Sequence, residues 1–175
     1  MDIDIRKLPE EEYRGFPFTV RYVTDRYYDV VLLDEGFRLE LKEFGSPVEK
    51  GFSDSLFGDW LESPVVFGAF EGGRLIGFVE GSGEEWHGLF RISNVFIYEG
   101  FRGRGIASRL IEHAIDYARV QGKWRGAVLE TQTCNYPAIC LYKKLGFRLT
   151  RIDLNEYTND DVANREARID MILKF

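Results

Sequence analysis

The chain has 175 residues, 45% of them hydrophobic and 30% charged, which suits one compact domain with a sizeable core and excludes a disordered chain. Its formal net charge is −6, and no Lys/Arg run is long enough to form a basic face, so a nucleic-acid partner is not expected. The acidic balance either favours a cationic small molecule or simply keeps the protein in solution, and the two cysteines, Cys134 and Cys140, are too few for a disulfide scaffold.

At the N-terminus, Met1-Asp2-Ile3-Asp4-Ile5-Arg6 holds no apolar run, so no signal peptide is expected. No stretch approaches transmembrane length, and a cytoplasmic protein with no membrane partner is the default expectation. Residues 19 to 23 read as a strand. Phe37, Leu39 and Leu41 alternate with Arg38, Glu40 and Lys42, the period of a half-buried strand. Residues 45 to 64 mix Gly and Pro with Ser and Asp, which predicts mostly loop with room for one short helix.

The second half is more sharply punctuated. Val65 to Phe70 and Arg74 to Val79 flank Gly72-Gly73, a hairpin signal. Phe90 to Ile97 is a further strand. Ile106 to Arg119 forms an amphipathic helix, with Ile106, Leu110, Ala114 and Ala118 on one face and Arg109, Glu112, Asp116 and Arg119 on the other. His113 falls on the polar side, and Gly122 supplies the stop. Ala127 to Thr133 is a strand, followed by a helix from Tyr136 to Leu145. Asn135 stands at its N-cap, Pro137 in its first turn and Gly146 at its end. Phe147 to Tyr157 and Ala167 to Phe175 close the chain as a long antiparallel pair. Helices and strands alternate in the middle and strands dominate both ends, so the expected architecture is a mixed α/β sheet with helices packed on it, as one domain over residues 1–175.

The segment with chemistry in it is Val95-Phe96-Ile97-Tyr98-Glu99-Gly100-Phe101-Arg102-Gly103-Arg104-Gly105-Ile106-Ala107. Its glycines free the backbone for unusual angles and close approach to a ligand. The helix that starts at once presents unpaired N–H groups and the positive end of its dipole, a ready site for phosphate or pyrophosphate. Arg102 and Arg104 add positive charge. The alternative is a plain tight turn. A Walker loop is excluded because no GxxxxGK[ST] occurs, and GxGxxG fails because position 108 is Ser.

Arg102-x-x-Gly105-x-Ala107 resembles the Arg/Gln-x-x-Gly-x-Gly/Ala signature of the GNAT superfamily of N-acetyltransferases. Asn135-x-x-Ala138-x-x-Leu141-Tyr142-x-x-x-Gly146-Phe147 is similar to that superfamily's second segment, in the same order and spacing. The resemblance implies a central, mostly antiparallel sheet that splays between two strands, with helices on both faces. It implies acetyl-CoA as co-substrate and no metal. Phe96 and Ile97 would then offer backbone groups to the pantetheine and the acetyl carbonyl, and the amides of Arg102, Gly103, Arg104, Gly105, Ile106 and Ala107 would hold the pyrophosphate. Asn135 would contact the cofactor arm or serve only as a helix cap. Tyr142 would assist the leaving thiolate, the alternative being a core aromatic beside Phe147. A phenol near ~10 is a weaker acid than a thiol near ~8.5, so a hydrogen bond is its minimum role.

The base is less defined. Glu80 and Glu130 are the candidates for catalysis and for binding the amine, each with the alternative of a solvated or salt-bridged strand carboxylate. Glu84 and Trp86 are candidates to line the mouth, Trp86 through cation–π contact. Neither His87 nor His113 is placed to activate a cysteine, and the resemblance implies direct transfer rather than an acyl-enzyme. Within the superfamily, Leu129-Glu130-Thr131-Gln132-Thr133-x-Asn135-x-Pro137-Ala138, Ile152-Asp153-Leu154, Phe18-Thr19-Val20-Arg21 and Asp34-Glu35-Gly36-Phe37 resemble the streptothricin acetyltransferases. That likeness implies a cationic small-molecule amine as acceptor, on the β-lysine part of the antibiotic. Another amine (a polyamine, a different antibiotic or a protein terminus) and a non-catalytic acetyl-CoA sensor stay open. So do monomer and homodimer.

Overall fold

The computed structural model describes residues 3–175. In chain order its elements are β1 (Asp4–Lys7), α1 (Glu10–Tyr13), β2 (Pro17–Leu33), β3 (Gly36–Ser55), β4 (Val65–Glu71), β5 (Arg74–Glu84), β6 (Leu89–Ile97), α2 (Ile106–Val120), β7 (Gly126–Gln132), α3 (Tyr136–Lys144), β8 (Arg148–Asp153), α4 (Asp161–Asn164) and β9 (Arg168–Lys174). The chain divides into two compact units. One takes the residues up to Thr19, Ser53–Leu129 and Leu173–Phe175, and the other takes Val20–Phe52 and Glu130–Ile172.

In the first unit the strand order is β1-β4-β5-β6-β7. The pairs β1–β4, β4–β5 and β5–β6 are antiparallel and β6–β7 is parallel, which is the expected mixed sheet. Gly72 and Gly73 turn β4 into β5 at φ of 57° and 82°. Both are left-handed, as a two-residue hairpin turn of the primed type requires. The helix α2 packs on β4, β5 and β6. Its Leu110, Ile111, Ala114 and Ala118 are buried, and the helix lies on the sheet face that presents Phe67, whose ring meets those of His113 and Tyr117. His113 departs from expectation. Its ring lies 4.6 Å from that of Phe67, edge to face, so it is half-buried at the edge of the packed face. A helical apolar stripe wider than 100° takes in such a flanking position.

Two features of β6 define its far end. Its pairing with β5 shifts register between Glu80↔Asn94 and Gly81↔Ile92, which leaves Ser93 as the extra residue of a bulge. Its parallel ladder with β7 spans only Phe90↔Ala127 to Ile92↔Leu129, although β6 runs on to Ile97.

In the second unit β2 and β3 form a two-stranded ribbon. The loop expected over residues 45 to 64 is replaced in its first half by strand, since β3 continues to Ser55, and no helix forms there. Pro47 is tolerated because each ribbon strand has one edge without a ladder partner. Gly51 is required by contact: a Cβ there would lie 2.3 Å from the Val20 carbonyl oxygen. The alternation at Phe37, Leu39 and Leu41 is real, but Phe37 and Leu41 stay 42% and 46% exposed. The closing strands are shorter than expected, with β8 and β9 antiparallel from Arg148↔Ile172 to Asp153↔Arg168. Asp161 ends the extended run. Its carboxylate accepts the Tyr157 and Thr158 N–H groups at 2.8 and 2.9 Å and the Thr158 hydroxyl at 2.8 Å, which fixes a turn where more strand was expected. No helix among the described residues is long and apolar enough to cross a membrane.

Gly126 opens β7 where a Cβ would stand 2.5 Å from the Leu173 carbonyl oxygen and 3.3 Å from Lys174 Cα, both backbone atoms. Gly126→Ala therefore forces main-chain movement, with an expected loss of about 1–3 kcal/mol in urea unfolding. An unchanged midpoint would show that this approach is not a constraint.

Candidate active site

The glycine-rich loop begins where β6 ends. A single 3-10 turn at Glu99–Phe101 leads into Gly103 and Gly105, at φ of 74° and 75°. Gly105 is the N-cap of α2 and has no side chain to cap it. The first N–H groups of α2, on Ile106, Ala107 and Ser108, therefore lack a side-chain acceptor at the cap, and the dipole adds about half a positive charge at the same end. A Cβ at Gly103 or Gly105 would meet nothing within 4 Å. Glycine is demanded here by the left-handed backbone, and the space beside it is open to an anion.

The two arginines of the loop are anchored. Arg104 grips Glu71 at the end of β4 through both terminal nitrogens, at 2.5 and 3.3 Å, and its guanidinium lies 5.5 Å from the centre of the Phe101 ring. The Arg104 guanidinium holds the Glu71 carboxyl below its usual range. The Arg102 Nε donates to the Ile97 carbonyl oxygen at 3.2 Å, so one of the backbone groups expected to serve a ligand already has a partner. Arg104 is thus offset by Glu71, while Arg102 keeps its charge beside the backbone amides and the helix end. Phe96 packs between rings, stacked on Phe78 at 5.1 Å and tilted to Phe18 at 5.8 Å, which holds this end of β6 rigid.

Glu80 lies in the same unit, fully buried, opposite Asn94 in the β5–β6 ladder. Directly opposed side chains on one sheet face stand about 5 Å apart at Cβ, so contact follows from register. Asn94 donates to Glu80 Oε2 at 2.8 Å, and the Phe57 N–H donates to Oε1 at 2.6 Å. Phe57 holds φ of 59°, unusual for a bulky residue, with its ring buried. The second amide hydrogen of Asn94 goes to Asp54 Oδ2 at 3.2 Å. Burial pushes the Glu80 carboxyl above its usual range, the Asn94 and Phe57 hydrogen bonds pull it back, and the nearby Asp54 charge adds to the rise. Sequence reasoning reached Glu80 but missed Asn94 and Asp54. The available signal for Asn94 was a polar residue inside the apolar run Ile92 to Ile97.

Glu84 and Trp86 do not join this group. Glu84 pairs with Arg91, and Trp86 is 78% exposed on the turn between β5 and β6. That turn adjoins the start of β6, whereas the glycine loop follows its end. Eight residue steps of strand separate the two, about 26 Å. Glu84 and Trp86 thus stand at the β5–β6 turn, apart from both the glycine loop and the Glu80–Asn94 pair.

In the second unit Glu130 is engaged at both oxygens. Tyr157 donates to Oε1 at 2.8 Å, and Arg168 lies 3.1 Å from Oε2. Arg168 also pairs with Glu156 at 2.5 Å and with Asp170 at 3.3 Å. Glu130 is thus a salt-bridged strand carboxylate, the plainer of its two expected readings. Asn135 caps α3 as its side-chain oxygen accepts the Ala138 N–H at 3.3 Å. Tyr142, on α3, is buried with its ring 6.3 Å from that of Phe147. Burial pushes its phenol up to about 12. A full proton transfer from it to a thiolate near ~8.5 would be uphill by about 5 kcal/mol, so donation of a hydrogen bond is the role its surroundings favour.

Residues 33–147 match the model of the acetyltransferase (GNAT) family. The chain is 35% identical over 165 residues to a streptothricin acetyltransferase of Escherichia coli, covering 93% of this chain and 91% of that one. Among solved structures, a nourseothricin acetyltransferase superposes with a TM-score of 0.78 at 25% identity, over 98% of both chains. A candidate streptothricin acetyltransferase from Bacillus anthracis, solved with acetyl coenzyme A, superposes with a TM-score of 0.79 at 22% identity, over 100% of this chain and 98% of that one.

The Glu80 environment sets a pH test. The folded protein keeps this proton to higher pH than the unfolded chain does. Its stabilising contribution is therefore complete below about pH 4.3, the ordinary glutamate value, and is lost as pH rises through the raised pKa. Glu80→Gln has no such proton. Urea unfolding from about pH 4 to about pH 8 should show a downward slope in the wild type that is reduced in Glu80→Gln. Identical slopes would mean that Glu80 titrates normally.

Proposed function

The chain belongs to the GNAT family of acetyltransferases, and from that footing we propose that it moves the acetyl group of acetyl-CoA to a primary amine of streptothricin-type antibiotics, on their β-lysine part. The observation that carries the choice of acceptor is the 35% identity, across nearly the whole length of both chains, to a protein named for that substrate. The proposal treats the chain as a single acetyltransferase domain, since one family model runs through residues of both compact units.

In this reading the amides from Arg102 to Ala107 receive the pyrophosphate, and Phe96 and Ile97 offer main-chain groups to the pantetheine arm. Arg102 and Arg104 act by shaping the loop through Ile97 and Glu71. Tyr142 donates a hydrogen bond to the sulfur as negative charge develops there. Asn135 orders the start of α3. The acceptor arrives as an ammonium. Near pKa ~10.4, only about one molecule in 2,500 is neutral at pH 7, a penalty of about 4.6 kcal/mol, which a nearby carboxylate, directly or through water, or desolvation of the amine offsets. The buried Glu80, held by neutral donors, supports the acidic side of the chemistry from within the sheet, whereas the oxygens of Glu130 are held by Tyr157 and Arg168.

Purified protein with acetyl-CoA and streptothricin should release free thiol in step with acetylated antibiotic. Release with polyamines or peptide N-termini but not with streptothricin would move the acceptor to another amine. Binding of acetyl-CoA with no release for any amine would make the protein a sensor. Tyr142→Phe should lower kcat by about 100-fold with little change in acetyl-CoA affinity, and an unchanged kcat would remove Tyr142 from the mechanism.

A further inference from the structure

The end of β3 brings a second carboxylate, Asp54, to the Glu80–Asn94 pair. Asp54 is half-buried, one of its oxygens accepts the Ser55 N–H at 2.8 Å, and the other accepts from Asn94. Asn94 therefore spends both amide hydrogens on carboxylates, one fully buried and one within reach of solvent. This fixes its orientation, since only the nitrogen end can face two acceptors. No Lys, Arg or His among the described residues forms an ion pair with Asp54 or Glu80. The charged group that faces Glu80 is Asp54, while β6 and the turn after β3 offer it neutral donors, Asn94 and the Phe57 N–H. Two like charges held on one neutral amide are costly unless a proton or a cation is shared with them.

The pair also stands at a particular place on β6. Asn94 follows the Ser93 bulge and lies two positions beyond Ile92, the last residue laddered to β7. Bulges re-aim side chains and end pairing next to reacting centres. Resting on the amine-acetylation reading above, we propose that Asp54, Asn94 and Glu80 form one proton-accepting unit, in which Asp54 meets the acceptor ammonium and Asn94 is the positioning residue that ties the two carboxylates together. The ammonium N–H proton passes to Asp54. The neutral amine then attacks the thioester carbonyl carbon, the C–N bond forms and the C–S bond breaks. The thiolate takes up the second nitrogen proton, and Asp54 returns its own to solvent. The products are the acetamide, free thiol and one proton. Glu80, out of reach of the amine, shares the charge of the pair through Asn94.

The test is steady-state kinetics by thiol release across pH, with the amine that the wild type acetylates. Acetyl-CoA binding is followed by calorimetry in parallel. Asp54→Asn should lower kcat/KM for the amine by about 100-fold or more and leave acetyl-CoA binding unchanged. Asn94→Ala should move the acidic limb of the kcat/KM profile to higher pH, and Asn94→Ser, which keeps one donor, should fall between it and the wild type. A purely structural role for Asn94 would lower activity evenly at all pH values. Asp54→Asn within twofold of the wild type, or Asn94→Ala with an unmoved profile, overturns the proposal. If Asn94→Ala fails to fold, the half-exposed Asp54 variant decides alone. A wild type that acetylates no amine would instead overturn the function proposed above, which separates the two failures.

Discussion

The organisation of the site depends on a ladder that stops early. β6 and β7 pair over three residues and no further, while β6 continues to Ile97 with only β5 beside it in register. A strand edge inside a sheet carries N–H and C=O groups that need partners. One is met internally, where Arg102 reaches back to the Ile97 carbonyl. The rest of that edge leads directly into the glycine loop, so unpaired backbone and an anion-attracting helix end follow one another along a short stretch of chain. Rigid rings at Phe18, Phe78 and Phe96 fix this end of the strand from the other side.

Electrostatics in the first unit follow the same economy. Arg104 is paired with Glu71, Arg102 adds its charge from beside the Ile97 carbonyl, and peptide dipoles that cannot swing away supply the rest of the field at the loop. On the acidic side, Glu80 is held by neutral donors and remains a carboxyl in low dielectric. Such a group responds to what is placed near it, because it has no fixed counter-charge to dominate its state. Glu130 is the opposite case, a carboxylate whose Arg168 partner is itself shared with Glu156 and Asp170. The two glutamates looked alike in sequence, and their neighbours make them different.

The sequence was most legible where local rules decide structure. The Gly72-Gly73 hairpin, the α2 stripe, the Asn135 cap and the Gly105 turn each depend on a few adjacent residues, and each formed where expected. Legibility failed where the outcome depends on distant chain. Gly and Pro between residues 45 and 64 suggested loop, yet Gly51 is there because the Val20 backbone passes against it. The partners of Glu80 come from 14 and 23 residues away, on elements whose register could not be read locally. The distance of Glu84 and Trp86 from the glycine loop likewise follows from strand direction, which no local pattern reveals.

The first unit is assembled from both ends of the chain. Asp4 pairs with Phe70, and the Phe175 N–H donates to the Arg125 carbonyl oxygen at 3.1 Å. Contacts this remote in sequence require large loops to close before they are rewarded, which slows folding. For a chain emerging from the ribosome, β1 must wait for β4, and the seam of Gly126 must wait for Leu173, 47 residues later. At roughly 5–20 residues per second, synthesis of such a chain takes on the order of ten seconds or more. Until the residues around Leu173 have been made, the unit that carries the glycine loop is incomplete, so its earlier residues depend on staying unaggregated while the intervening chain is synthesised.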